Sequence, residues 1–454
     1  MSAEKTMDLF LDTLFAKVKE AGIDKAEAYI MQQESFKCMM DEGDIGDYSS
    51  SVAGGLSLRA LINGKMGTAY TQAFDDDAAD MLVSRVKESA SLIEDESEQF
   101  LYEPQGDTYA IVETTAKTPY GGTADEKIAF AREIEKLALG KSELVKKLGS
   151  YTGVMSTHTD VRIKSTSGLD LARSVDYVIP VVDAVAVRGG KTYDGMEYNI
   201  YTDISEANAD ALAAKAVENA VAMLDAQSVP SGQYEIIIEN RTMADLLSVF
   251  SGIFSSENTQ KGLSLLKGKV GETIAAQSVT VVDDPLMPKR PGSCAFDDEG
   301  VPTYTKNVIE NGVLKTLLYN LKTAKIDGVK TTGNASKGGY TAPVKVAPAN
   351  LHIKPGEDSI EKLCEKIGGG LVITDLEGMH AGADAITGDF SLSAKGYSVK
   401  GGKKAGTVTQ ITVAGNFFTL LKEVKSVGSD LEFAPFAGTG SPSVWVGKLS
   451  VAGQ

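Results

Sequence analysis

The spacing of apolar side chains predicts a helix near the start of the chain. Apolar residues recur at every third or fourth position, which places them on one face of a helix: Met7, Phe10, Leu11, Leu14, Phe15 and Val18. Gly22 follows, where a glycine typically ends a helix. The same spacing predicts a helix after the acidic run Asp75–Asp77, one over about 124–139, and an Ala-rich one over 204–225.

Alternation of apolar and polar residues predicts strands between these helices. Ala26–Gln32 has this pattern, and so does much of 151–187. Gly55–Ile62 and Lys65–Thr71 flank Asn63-Gly64, a pair that readily adopts the positive φ angles of a tight hairpin turn. These stretches therefore predict a sheet packed against helices in the first half of the chain.

The second half has a different pattern. Tyr234–Ile238 predicts a strand, and 242–255 and 359–367 predict helices. Beyond residue 270 the chain is rich in β-branched residues, glycine and short turns such as Glu310-Asn311-Gly312, so we expect mostly antiparallel strands.

The fold class is therefore α+β, with two domains. Pro230-Ser231-Gly232 breaks the pattern and predicts the boundary. Residues 1–230 form an N-terminal α/β-sandwich-like domain. Residues 231–454 form a β-rich C-terminal domain of mostly antiparallel strands.

Composition excludes several classes of function. The 454 residues include 45 Lys and Arg against 62 Asp and Glu, a net charge of −17. That balance argues against nucleic acid and anionic membranes as partners, since both attract basic clusters. Three cysteines, Cys38, Cys294 and Cys364, are too few for a disulfide framework. With no signal-peptide pattern and no apolar run long enough for a membrane helix, we predict a cytoplasmic protein.

Motifs for nucleotide or metal chemistry are weak. Residues 262–269 and 396–402 approach a phosphate loop, but the first has one residue too many and the second has Gly402 in place of lysine. The three histidines lie far apart in sequence. His352 alternates with apolar neighbours and is predicted to face solvent, and His158 to be half exposed.

His380 has the best local set of possible ligands. Asp375, Glu377 and Asp384 lie near it in sequence, which leaves open a metal site or an unrecognised hydrolase site. A histidine in a turn that only forms hydrogen bonds is the simpler interpretation, because carboxylates are common in so acidic a chain.

A glycine-rich polar region at 375–416 carries the main candidate binding site. Thr387, Gly388, Asp389 and Phe390 are followed downstream by Asn416, with small residues beside the predicted strand edges. One interpretation is a set of bulges and turns. The other is an edge that accepts an extended peptide by β-augmentation, since glycine allows another backbone to approach closely.

Ordered blocks along the chain resemble the TldD/PmbA family, also known by the label modulator of DNA gyrase. The blocks are SGQY at 231–234, AFDDEGV at 295–301, GGLVITDL at 369–376, AITGDFS at 385–391, ITVAGN at 411–416, VGSD at 427–430, GSP at 440–442 and VAG at 451–453. The resemblance implies a fold shared with TldD-type zinc metalloproteases, whose ligands are an HExxxH helix and a cysteine near the C-terminus. It also implies that a TldD-type subunit pairs with a metal-free PmbA/TldE-type subunit, and that this heterodimer cuts unstructured peptides.

This chain departs from the TldD pattern at the ligands. By the resemblance, Ser248, Val249 and Ile253 occupy the His, Glu and His positions, and the stretch 436–442 holds no cysteine. A hydroxyl and two hydrocarbon groups cannot replace two imidazoles and a general base. The chain is therefore expected to be of the PmbA/TldE branch. It would have no catalytic residue and no cofactor of its own, and zinc is expected only in a TldD-type partner.

Three functional hypotheses follow. The first is a metal-free subunit that shapes the substrate cleft of a two-subunit peptidase, with peptide contacts at Thr387, Gly388, Asp389, Phe390 and Asn416. The alternative is a non-enzymatic peptide-binding or regulatory protein, a homodimer when alone. The third is a hydrolase that uses His380 with Asp375 or Asp384.

Overall fold

A computed structural model describes residues 3–94, 100–434 and 438–454. The elements of the first half, in chain order, are α1 (Ala3–Glu20), β1 (Lys25–Asp41), β2 (Asp44–Ile62), β3 (Lys65–Thr71), α2 (Asp76–Ser91), α3 (Ala124–Lys141), β4 (Val145–Leu148), β5 (Gly153–Ser165), β6 (Asp170–Arg188), β7 (Lys191–Tyr198) and α4 (Ala209–Met223). Short 3-10 turns lie at Pro119–Gly121 and Ile204–Glu206.

The strands of this half form one antiparallel sheet. Within the described residues it has seven strands, in the order β3-β2-β1-β5-β6-β4, and β7 also pairs with β6. The predicted hairpin is present, because Ile62 pairs with Lys65 and both Asn63 and Gly64 have positive φ. β1 and β2 are much longer than their sequence patterns predict, and they pair along almost their whole length.

Helices cover this sheet in two groups. Leu11 and Leu14 of α1 pack with Leu82 of α2 against the buried β2 residues Leu56 and Leu58. The helices α3 and α4 pack with β6 in a second core cluster. Side-chain caps fix the starts of α2 and α3: an Asp75 oxygen accepts from the Ala78 N–H, and Thr123 forms a capping box with Glu126.

The second half continues with β8 (Gly232–Ile238), α5 (Asn240–Phe250), α6 (Ser256–Gln260), β9 (Val281–Asp283), β10 (Lys306–Glu310), β11 (Val313–Leu314), α7 (Leu321–Asp327), β12 (Ala335–Ser336), β13 (Lys345–Val346), β14 (Leu351–Ile353), α8 (Ile360–Ile367), β15 (Gly369–Glu377), α9 (Met379–Gly382), β16 (Asp389–Lys400), β17 (Lys403–Asn416), α10 (Phe417–Glu423), β18 (Ser426–Val427), β19 (Glu432–Phe433), β20 (Gly440–Ser441) and β21 (Val444–Ala452).

These strands form mostly antiparallel sheets, as predicted. In the described part of the chain one sheet has the order β11-β10-β9-β14-β20-β19, and another has the order β17-β16-β15-β8-β21-β18. The strand β17 also pairs with β21, which closes five strands into a ring. Between the strands named above, within the described residues, two pairings are parallel, β15 with β8 and β14 with β20. Both pairings join strands far apart in sequence. The sequence prediction used only the short turns between neighbouring strands, so it did not include them.

The prediction that His352 faces solvent is wrong. The strand β14 lies inside its sheet between β9 and β20, and all three of its residues are buried. His352 is 7% exposed, and its Nδ1 lies 3.0 Å from the carbonyl oxygen of Asn350. Alternation in sequence implies one polar face only when one face of the sheet meets water, and here both faces are covered.

The α+β fold class is confirmed, with helices packed on an antiparallel sheet in the first half and a strand-rich second half. The domain boundary at 230/231 stays a prediction. The segment between α4 and β8 already contacts the second half, since the Gln227 N–H donates to the Thr407 carbonyl. No helix within the described residues is long and apolar enough to cross a lipid bilayer.

Candidate functional site

The helix that carries the predicted metal-motif positions is amphipathic. In α5 the residues Met243, Leu246, Leu247 and Phe250 are buried, at the i, i+3, i+4 and i+7 spacing of one helix face. Asp245, Ser248 and Val249 are only partly buried and lie away from that face, and the helix tightens into a 3-10 turn at Ser251–Phe254. The helix thus packs one face into the core and turns the other toward a cleft.

An open cleft of about 660 Å³ runs along this exposed face. One wall consists of Asp245, Ser248 and Val249 from α5. The other wall is the end of β15 and the turn after it, lined by Leu376, Gly378, Met379, His380 and Ala383. The φ angle of Gly378 is +80°, a conformation that glycine adopts without strain and that directs the chain from β15 into α9. Two of the three predicted metal-motif positions therefore line this cleft.

Ile253 does not line the cleft. It lies in the 3-10 turn, is 1% exposed, and belongs to the largest buried cluster together with Phe250 and Phe254. Phe250 stacks on Phe417 with ring centroids 4.5 Å apart. The resemblance placed Ile253 with Ser248 and Val249 at the ligand positions, but the α-helix ends at Phe250 and the side chain of Ile253 is buried in the core.

Asp245 is a cleft residue that the sequence reasoning missed. Burial raises its pKa to about 6, and the nearby carboxylate of Asp375 adds to this effect, while Arg241 opposes it. The Arg241 guanidinium donates to Glu197 of β7 at 2.8 Å, so the charges around the cleft extend to the N-terminal sheet. A usable signal existed, because Asp245 lies three residues before Ser248 and therefore shares its helix face.

The carboxylates near His380 in sequence are engaged elsewhere. Asp375 and Glu377 both contact the ammonium of Lys395, at 3.6 and 2.5 Å. Asp384 accepts from the backbone N–H groups of Ile386 and Thr387, at 2.8 and 3.0 Å. These carboxylates therefore do not form a set of ligands around His380, although they lie near it in sequence. The geometry gives the His380 hydrolase hypothesis no support.

The residues present do not fit the zinc that the family resemblance implies. At the motif positions the cleft offers a Ser248 hydroxyl and a Val249 hydrocarbon group, with Ile253 in the core. Within residues 3–94, 100–434 and 438–454 no three His, Cys, Asp or Glu side chains are grouped to hold a metal ion. Phe436, which begins the stretch where the resemblance implies a cysteine ligand, lies outside the described residues.

The predicted peptide-contact residues form one hydrogen-bonded unit. The Asn416 amide donates to the Thr387 carbonyl at 2.9 Å and to Asp389 at 2.8 Å, and its oxygen accepts from the Thr419 N–H to cap α10. Gly388 has a φ of +84°, and its N–H donates to the Asp384 carbonyl. Asp389 pairs with Asn416 across β16 and β17.

Phe390 differs from the other predicted contact residues because it is buried. It is 4% exposed, and its ring centroid lies 6.5 Å from that of Phe250. Its backbone pairs with Gly415 on one side and with Ala383, a cleft residue, on the other. The unit therefore adjoins the cleft, but its backbone already has partners on both sides. Its role in peptide contact stays a prediction.

Comparison with protein families shows that the chain has the domains of the PmbA/TldA metallopeptidases. The chain matches domain 1 of that class at residues 26–90, its central domain at 119–224 and its C-terminal domain at 231–453.

Relatives that match nearly the whole chain support the same family. A solved structure from Thermotoga maritima, named for modulation of a DNA gyrase, is 35% identical with a TM-score of 0.90, and covers 98% of this chain and 100% of its own. A Methanothermobacter thermautotrophicus protein named Metalloprotease is 28% identical over 422 residues, 90% of this chain and 89% of its own. TldE from Thermococcus kodakarensis, 21% identical, shares the fold with a TM-score of 0.87 over 98% of this chain and 100% of its own. The chain belongs to the PmbA/TldD/TldE family.

Proposed function

We propose that this chain is the PmbA/TldE-type subunit of a cytoplasmic two-subunit metalloprotease that acts on unstructured peptides or small unfolded proteins. The observation that carries the proposal is the motif helix α5. This helix lines an open cleft, while the residues at the predicted ligand positions are a serine, a valine and a core isoleucine. In this proposal a TldD-type partner supplies the zinc, and this chain supplies one wall of the substrate cleft.

The cleft geometry supports a role in holding substrate. A volume of about 660 Å³ with an open mouth can admit several residues of an extended chain. The lining combines apolar groups of Val249, Leu376 and Met379 with the polar groups of Asp245 and His380. A mixed lining of this kind suits unfolded substrates of varied sequence.

The unit around residue 387 is proposed as the rim of this cleft. Thr387 and Asp389 have exposed side chains, whereas the buried Phe390 ring supports the rim from below. Because the backbone of Phe390 is already paired on both sides, we propose side-chain contacts with the peptide at Thr387 and Asp389. Asn416 and Gly388 would hold these two residues in place.

The experiment combines the pure chain with an HExxxH-bearing relative from the same genome. We expect that neither chain cleaves a fluorogenic unstructured peptide efficiently alone, that the pair does, and that a chelator abolishes the cleavage. Chelator-sensitive cleavage by the lone chain would overturn the metal-free assignment. Tight peptide binding by the lone chain, with no effect on any zinc-bearing relative, would favour the regulatory homodimer instead.

A variant of the cleft wall tests the substrate role directly. Ser248→Trp should fill the cleft and raise the KM of the assembled pair while leaving assembly intact. Ser91→Trp, at an exposed position at the end of α2, is the matched control and should leave KM unchanged. An unchanged KM in both variants would remove this cleft from the substrate path.

A further inference from the structure

Asp245 is a partly buried residue in the α5 wall of the cleft. Within the described residues no donor forms a hydrogen bond or an ion pair with its carboxylate. The usual partner on a helix would be Arg241, four residues earlier. The Arg241 guanidinium instead donates to Glu197 at 2.8 Å and lies 5.5 Å from the centroid of the Tyr198 ring. The carboxylate of Asp245 is therefore available to a group that enters the cleft.

The charged groups beyond Arg241 leave the surroundings of Asp245 negative. Burial raises the pKa of Asp245, and the carboxylate of Asp375 on β15 raises it further. On that side the Lys395 ammonium already contacts Glu377 at 2.5 Å and Asp375 at 3.6 Å. Asp194 of β7 is exposed and lies close enough to act on Lys395 as well. A cation that enters the cleft is therefore attracted to this wall.

The lining around Asp245 matches a long cationic side chain. A partly buried carboxylate without a partner costs stability, because burial disfavours its charged form, and a bound cation offsets that cost. The cleft also presents apolar groups of Val249, Leu376 and Met379. Lysine and arginine combine a hydrocarbon stem, which packs on apolar surface, with a charged end. One such side chain can therefore contact both the apolar groups and the carboxylate.

We propose that Asp245 makes the cleft selective for peptides with a cationic group, a lysine or arginine side chain or a free N-terminal ammonium. This rests on the substrate role of the cleft proposed above and names the class of peptide that binds best. The hydroxyl of Ser248, on the same wall, is a second acceptor for the cation. The net charge of −17 attracts such peptides from solution. An organic cation fits better than a metal ion, because the described residues group no three His, Cys, Asp or Glu side chains as ligands.

Direct binding of peptides tests this selectivity. The probe is an N-acetylated Gly/Ser peptide with a central lysine and a fluorescent label at its C-terminus. A second peptide has norleucine instead, which keeps the stem and removes the charge, and a third combines norleucine with a free N-terminus. Fluorescence anisotropy measures binding to the pure chain and to its pair with the zinc-bearing relative. Near pH 7.5 the lysine peptide should bind about ten-fold more tightly than the acetylated norleucine peptide, as a charged hydrogen bond implies.

Variants at Asp245 assign the selectivity to this carboxylate. Asp245→Asn should bind the lysine and norleucine peptides equally, whereas Asp245→Glu should keep most of the preference. Asp80→Asn, which removes an exposed carboxylate of α2, is the matched control and should bind like wild type. Unchanged binding of the norleucine peptide by Asp245→Asn shows that this variant is folded.

The preference should also depend on pH. Only the ionised carboxylate attracts a cation, and the pKa of Asp245 is about 6. The preference for the lysine peptide should therefore increase as the pH rises from about 5 to about 7.5, and Asp245→Asn should lack this dependence. His380 across the cleft and the charged groups named above are unchanged in that variant, so they do not account for its loss.

The outcomes separate this proposal from the protease role. Equal binding of all three peptides by wild type, a preference that persists in Asp245→Asn, or no binding of any peptide would overturn it. A preference for the free N-terminus alone would support it and assign the cation to the end of the peptide. A pair that binds the lysine peptide selectively but never cleaves it contradicts only the protease role. Cleavage without any charge preference contradicts only this proposal.

Discussion

Two groups of polar residues in this molecule invite comparison, and they differ in accessibility. One is the open cleft along α5. The other, here called the buried network, lies between the N-terminal sheet and the second half of the chain, around a cavity of about 260 Å³. In the buried network Arg59 donates to Glu27 at 2.8 Å, Arg173 and Tyr29 donate to Asp298 at 2.7 and 3.0 Å, and Lys337 donates to Ser57 at 2.9 Å.

The pKa shifts are larger in the buried network than in the cleft. Burial lowers the pKa of Lys337 to about 8, with a further contribution from Arg59. Burial raises the pKa of Asp297 to about 8, and the Glu299 charge adds to it, whereas Asp245 in the cleft reaches only about 6. Perturbed groups often mark functional sites, but here the strongest shifts belong to buried residues that already have partners in the protein. Lys337 donates to Ser57, and Asp297 accepts from three backbone N–H groups. Access to a ligand, rather than the size of the shift, distinguishes the cleft.

The largest expected effect comes from breaking the buried network. Arg59→Met leaves the Glu27 carboxylate, 1% exposed, without its cationic partner, and one of its oxygens already lacks a hydrogen bond. We expect a loss of about 3–5 kcal/mol in the free energy of unfolding. Urea denaturation measures it, with Lys215→Met at an exposed ion pair as the control, which should change nothing measurable. A loss under about 1 kcal/mol would show that the buried network does not stabilise the packing of the two halves of the chain.

A second prediction separates the motif positions from one another. Ile253→His buries a polar ring in the core and should cost about 2–4 kcal/mol of stability. Ser248→His, five residues earlier on the cleft face, should cost much less. Thermal unfolding of the two variants compares them directly. Equal losses would contradict the finding that Ser248 lines the cleft whereas Ile253 lies in the core.

The rim unit gives a third, smaller effect. Asn416→Ala removes the α10 cap and two further hydrogen bonds, so we expect a loss of about 1–2 kcal/mol in stability. Thr387→Val keeps the contacts of the residue's own backbone N–H and carbonyl, but it removes the exposed bond at 3.3 Å from the Asp389 N–H to the Thr387 hydroxyl, so stability should fall by less than about 0.5 kcal/mol. If Thr387 contacts peptide, this variant should weaken peptide binding to the assembled pair several-fold. Unchanged binding would remove Thr387 from the contact surface.

The smallest effect concerns pH. The folded pKa of Asp245, about 6, lies above its ordinary value of 3.8, so the unfolded chain releases this proton first. Stability should therefore fall as pH rises from about 4 to about 6, and the loss persists at higher pH. Asp245→Asn removes this contribution. It should be more stable than wild type by about 1 kcal/mol near pH 8, less than the roughly 3 kcal/mol of the full shift because solvent screens a partly exposed carboxylate, with no gain near pH 4. Unfolding midpoints at the two pH values test the sign, and a gain equal at both would contradict it.

Local patterns predicted much of the architecture. Apolar spacing placed the amphipathic face of α5, and Asn63-Gly64 placed a hairpin whose turn has the expected positive φ angles. Motif order along the chain was enough to identify the family. These features depend on residues within a few positions of each other, so the sequence displays them directly.

Neither the buried network nor the true environment of several candidates was visible in the sequence. The network joins residues that lie far apart in sequence: Tyr29 and Arg173 contact Asp298, Arg59 contacts Glu299, and Lys337 lies over the ring of Tyr29. Local sequence patterns do not reveal such contacts.

By itself the sequence determined the α+β class and the family, and the resemblance to that family predicted Ser248, Val249 and Ile253 as the ligand positions. Only the tertiary structure decided that Ile253 belongs to the core, that His352 is buried, and that β2 has one buried half and one exposed half. The physical reason is that helix and turn preferences arise from neighbouring residues, whereas burial depends on which distant elements pack over a given face.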